Sequence, residues 1–86
     1  MFNLFKRRRS IIAQKEIEAK MNDLQLYLEN NYKDQAIQAR KETILLIESC
    51  YERGELDHKG YVKYKASIDE YSRKMEHYNH QQFYHS

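Results

Sequence analysis

His77 and His80 stand three residues apart, on one face if the segment is helical, and Glu76 lies four before His80. Two ligands at that spacing could hold a metal ion. The sequence places no third donor beyond His85, which is only a loose candidate. A solvated helix end accounts for these residues more simply. Cys50 has Arg53 three residues on, a cation able to lower the thiol pKa. No histidine is placed nearby to act as its base, so a buried, inert cysteine is the simpler reading. Asp69 is a lone carboxylate best explained as a surface ion-pair partner. There is no glycine-rich phosphate loop, nucleophile elbow or zinc-knuckle spacing. Glu55 and Asp57 lack the ligand series of a calcium loop. These residues support neither catalysis nor a metal nor any other cofactor, and the chain is not expected to be an enzyme.

The elements that carry these residues are helical. Proline is absent and glycine occurs only at Gly54 and Gly60, too few turn formers for a sandwich or barrel. The first helix is expected over residues 10–30, with Ile17, Met21, Leu24 and Leu28 spaced 4, 3, 4 along one stripe. Leu26 and Tyr27 widen that stripe, and Glu16 and Lys20 are set to pair one turn apart. Asn30-Asn31 reads as a tight connection, because asparagine favours caps and turns over helix interiors. The alternative is one long rod running through it. The second helix is expected over 34–53. Ile37, Ile44, Ile47 and Tyr51 form its apolar face, broadened by Ala36, Leu45, Leu46 and Cys50. A helix so broadly apolar belongs in the centre.

Arg53-Gly54 reads as a helix end, Asp57 as the N-cap of the next helix, and Leu56 with Tyr61 as a hydrophobic staple. The short loop predicts an antiparallel hairpin of the second and third helices. The third helix is expected over 57–80. Its Tyr61, Tyr64, Ile68, Tyr71, Met75 and Tyr78 are spaced 3, 4, 3, 4, 3, a heptad seam with hydroxyls at its margins. Residues 81–86 read as a polar tail.

The whole chain, 86 residues, is one small all-α domain of three helices. Leucine, isoleucine, valine and phenylalanine together make up only about a fifth of it. Eight tyrosines add rings with polar tips. A single cysteine rules out an internal disulfide. A core this thin predicts self-association, with a homodimer the expected state.

Charge is concentrated at one end. Residues 1–20 carry Lys6, Arg7, Arg8, Arg9, Lys15 and Lys20 against Glu16 and Glu18, while the entire chain is only +2. The rest is therefore net acidic. In residues 1–9 the apolar Phe2, Leu4 and Phe5 precede the run Lys6 to Arg9. These residues lack the apolar stretch of an export signal, and no run is long enough to span a bilayer. A cytoplasmic setting is expected, and a lone cysteine suits it. The segment could touch the inner membrane surface, neutralise nucleic-acid phosphates, or pack its apolar residues on a partner.

The stretch Ile47 to Ile68 resembles the short bacterial helical-hairpin module called SHOCT. Gly54, Leu56, Asp57, Tyr61 or Tyr64, Lys65 and Ile68 occupy similar places, with Asp57 where that family has a threonine or serine cap. The resemblance covers about a quarter of the chain and implies a bacterial or phage setting with a role in oligomerisation or protein contact. The third helix is also similar to the Spo0E-like family of small helical-hairpin phosphatases acting on response regulators. Lys65-Ala66-Ser67-Ile68-Asp69 stands where that family has Ser-Gln-x-Leu-Asp, so only Asp69 carries over.

These observations predict a small regulatory or adaptor protein acting by helix-mediated protein binding. Its expected contact residues are Ile44, Ile47, Tyr61, Tyr64, Ile68, Tyr71, Met75 and Tyr78. A second contact is expected through Phe2, Leu4, Phe5, Lys6, Arg7, Arg8 and Arg9. The alternatives are a dimeric DNA-binding regulator using its basic N-terminus, or a phosphatase of the second resembling family.

Overall fold

Nothing between Phe2 and Glu29 breaks a helix, and the chain forms one there. In the computed structural model, α1 spans Phe2–Glu29, α2 Lys33–Glu52 and α3 His58–His85. The structure describes residues 2–85, with side chains described from Arg7 to Glu76. No strand occurs among the described residues. The fold is a small all-α bundle.

Both connections are set by local chemistry. After α1, Asn31 adopts φ 58°, and the Tyr32 N–H donates to the Tyr27 carbonyl while that of Asn31 reaches Leu28. This is the Schellman arrangement with asparagine in the left-handed position. Asn30 adds a side-chain bond of 2.8 Å to the Leu26 carbonyl. The turn ends α1 and excludes the single rod. After α2, Gly54 adopts φ 74°, and the Glu55 N–H bonds the Cys50 carbonyl as that of Gly54 bonds Tyr51. Asp57 then caps α3, its Oδ1 accepting from the Gly60 N–H at 2.7 Å. A Cβ on Gly60 would lie 2.9 Å from Leu56 Cδ1 and 3.1 Å from Asp57 Oδ1. The bare backbone at Gly60 lets the buried Leu56 fold over the helix start.

Two boundaries differ from expectation. The first helix begins at Phe2 instead of residue 10, and the third continues to His85 instead of ending at 80. Residues 1–9 and 81–86 are rich in charge and amide but contain no glycine or proline. Polarity alone does not stop a helix.

Cross-helix bonds give the register. Tyr64 bonds Glu18 and Tyr71 bonds Gln25, each 46 residues apart, so α1 and α3 run parallel. Lys20 meets Glu42 on α2, and Arg40 on α2 meets Ser72 on α3. Glu48 meets Tyr61 and Lys65 at the loop end, so α2 is antiparallel to both others. With that stagger, α1 projects beyond the start of α3, and α3 projects beyond the end of α1. A helix of 28 residues is about 42 Å long, and the stagger stretches the molecule to 58 × 19 × 15 Å.

The core contains Ala13, Ile17, Met21 and Leu24 of α1 and Ala36, Ala39, Thr43, Ile47 and Cys50 of α2. Leu56, Tyr64, Ile68 and Met75 complete it. Helix α2 is central, as its composition predicts, and its closest neighbour is α1. Apart from Ile47, its buried face is built of short side chains, which let helix backbones approach. Thr43 is fully enclosed, and its hydroxyl is satisfied at 2.6 Å by the Ala39 carbonyl. Among the described residues no buried side-chain polar atom lacks a partner.

Candidate protein-binding surface

The tyrosine seam of α3 has turned inward. Ile47, Tyr64, Ile68 and Met75 lie in the chain's own core, and Ile44, Tyr61 and Tyr71 are half-buried against it. The buried four present no surface to a partner. The side chain of Tyr78 lies outside the described residues. The hydroxyls do sit at the seam's margins. Tyr64 donates to Glu18 at 2.8 Å, Tyr71 to Gln25 at 3.2 Å and Tyr61 to Glu48 at 2.8 Å. Burial, reinforced by the bond to Glu18, pushes the Tyr64 phenol up to about 12. The bond from Lys65, then that from Tyr61, holds Glu48 below the usual carboxylate range. Tyr51 stacks on Tyr61 with ring centroids 4.2 Å apart.

The chemistry-bearing residues are separated. Cys50 is buried, and burial raises its thiol pKa against the opposing pull of Arg53, whose Nη2 lies 3.7 Å from Sγ. A thiol in that state is a poor nucleophile. Asp69 is exposed on α3. The side chains of His77, His80 and His85 lie outside the described residues, as do those of Phe2, Leu4, Phe5 and Lys6. Arg7, Arg8 and Arg9 are exposed on the projecting end of α1. Among the described residues no group of metal-ligating side chains gathers, and no helix is long and apolar enough to cross a membrane.

Apolar side chains are accessible on the side of α1 and α2 that α3 does not line. Leu45, expected in the core, is 67% exposed there. It lines an open groove of about 540 Å³ together with Ala19, Leu46 and Ser49, and Glu16, Lys20, Asp23, Glu42 and Arg53 line it too. Lys20 bridges the groove to Glu42 at 3.1 Å, so its expected pairing with Glu16 gives way to a contact between helices. Arg53 pairs with Glu55 at 2.9 Å. Beside the groove, Ile12 and Leu26 on α1 are 56% and 53% exposed. Both share a face with Ala19, one heptad from each. Sequence reasoning assigned Leu26 and Leu45 to buried faces because they are apolar. The spacing of Ile12, Ala19 and Leu26 was the signal that could have found this surface. Comparison with protein families, curated proteins and solved structures finds no match.

Proposed function

We propose that this is a non-enzymatic regulatory or adaptor protein that works by binding protein through the outer face of α1 and α2. The observation that carries the reading is the exposed apolar floor at Ala19, Leu45 and Leu46, set between charged side chains. Apolar centre and polar rim is the anatomy of a protein contact. The bacterial or phage setting rests on the resemblance of Ile47–Ile68 to the hairpin module named above. The test is affinity capture from native extract at moderate salt, using the full chain, a Leu45→Glu variant and a variant lacking residues 1–9. A stoichiometric protein retained by the full chain and the truncation, but lost by Leu45→Glu, supports the reading. Capture unchanged by Leu45→Glu refutes it.

A second reading has its own observation. Arg7, Arg8 and Arg9 are exposed on a projecting helix end, where cations could meet nucleic-acid phosphates. That reading predicts binding that falls steeply with salt and disappears with residues 1–9. Phosphatase action through Asp69 predicts loss of activity in Asp69→Ala.

A further inference from the structure

We infer that the N-terminal half of α1 docks this protein on an anionic lipid surface, its cations meeting headgroup phosphates while Ile11 and Ile12 sink to the acyl boundary. The groove residues take no part, and the inference goes beyond the protein-binding reading without resting on it. Arg8, Ile11, Ile12 and Lys15 follow the i, i+3, i+4, i+7 spacing of one helical stripe. That stripe faces away from the bundle, because Ala13 and Ile17 bury the opposite side of α1. Ile11 and Ile12 are each more than half exposed, and Arg7, Arg8, Arg9 and Lys15 are exposed around them. No acidic residue occurs among residues 1–15. The sequence before Arg7 adds Lys6 and the apolar Phe2, Leu4 and Phe5.

The charges that neighbour this patch leave it basic. Glu16 and Glu18 follow it along α1, toward the helix flanks. Glu16 lines the groove beside α2, and Glu18 accepts from Tyr64 of α3. At the loop end Glu52, Glu55 and Asp57 stand against Arg53 and Lys59, a surplus of one acid. Asp57 caps α3. Glu55 is held below the usual carboxylate range mainly by Arg53, its ion-pair partner, with Arg9 adding a weaker pull. The five cations of residues 1–15 outnumber all of this excess. Among the described residues no ion pair within the chain engages Arg7, Arg8, Arg9 or Lys15.

The exposed isoleucines decide between polyanions. Nucleic-acid phosphates would take the cations and leave Ile11 and Ile12 in water. A bilayer surface takes both. Anionic headgroups attract each nearby Lys or Arg, the long basic stems reach back to the headgroups, and apolar side chains bury just beneath them. Because α1 projects beyond the start of α3, this end can meet a flat surface ahead of the rest of the bundle.

The test uses the full chain and vesicles of phosphatidylcholine, with and without phosphatidylglycerol, at physiological salt. The chain is expected to sediment with the anionic vesicles only. It contains no tryptophan, so Ile12→Trp places a single reporter in the patch, and its emission should shift to the blue on those vesicles. Replacing Ile11 and Ile12 together by serine should weaken binding about tenfold at unchanged charge. Replacing Arg8 and Lys15 together by glutamine should weaken it about thirtyfold. All these positions are exposed, and helical circular dichroism checks that each variant folds. Failure to bind the anionic vesicles overturns the inference, as does equal binding to neutral ones. Binding that ignores the isoleucine replacements, or leaves the tryptophan emission unshifted, overturns it too. Tighter binding to duplex DNA, indifferent to the isoleucines, would assign the patch to nucleic acid instead.

Discussion

The two sides of α2 solve the same packing problem in opposite ways. Toward α1, the closer neighbour, α2 presents short side chains such as Ala39, and the ion pair Lys20–Glu42 crosses the margin. Toward α3 the spacing is set by tyrosine rings, whose hydroxyls find acceptors on α1 and α2 at Glu18, Gln25 and Glu48. Close contact needs only shape and gains from dispersion. A ring-built seam fills more volume per residue, but each hydroxyl needs a partner. A chain poor in aliphatic residues can therefore complete a core with tyrosine, provided acceptors stand at the edge.

The comparison breaks first at Ile68, one of the few aliphatic side chains on the tyrosine side and 1% exposed. Ile68→Ala is expected to cost about 2–5 kcal/mol, read from urea unfolding. A smaller cost would mean that the rings collapse into the gap. On α2 itself, Ala36 is fully enclosed, so Ala36→Leu should cost about 1–3 kcal/mol by overpacking. A stabilised variant would show that this face has room to spare.

Tyr64→Phe removes one hydroxyl and should cost about 0.5–1.5 kcal/mol. It also sharpens the comparison through pH. The Tyr64 phenol titrates near 12 in the folded chain, above its ordinary value. Its contribution is therefore full below the unfolded value, about 10, and is lost as pH rises toward 12. Wild-type stability should fall across that window, and part of the fall should vanish in Tyr64→Phe. The smallest effect belongs to Lys20→Gln, which removes the exposed pair at the α1–α2 margin. Its unfolding midpoint should stay close to wild type and become insensitive to salt at that site.

Much of this fold was legible because its punctuation is local. Asn30-Asn31, Gly54 and Asp57 act through backbone geometry within a few residues, and each stands in its expected role. The α3 seam was legible through its period. The outer ends of α1 and α3 were not, because polar sequence without a breaker carries no stop. The inner face of α2 was misjudged for a different reason. Its buried residues Ala36, Ala39 and Thr43 are weakly apolar, whereas Leu45 is strongly apolar and exposed. Burial there follows from how near α1 comes, which no window of α2 records. The candidate surface suffered the same fate. The tyrosines that looked like a contact face are largely consumed at home, and the accessible ridge on α1 is diluted by the charges between its heptad positions.

Three crossings are an odd number, so the chain enters at one pole and leaves at the other. With the stagger between α1 and α3, the outer ends of the first and last helices lie nearly the full 58 Å apart. Tension applied between those ends runs along the helix axes and drives the seams to slide past one another. The tyrosine struts then share the load along the length of the bundle instead of parting one by one, as they would in a hairpin peeled from its open end. Mechanically the two poles are joined in series through the full length of the bundle.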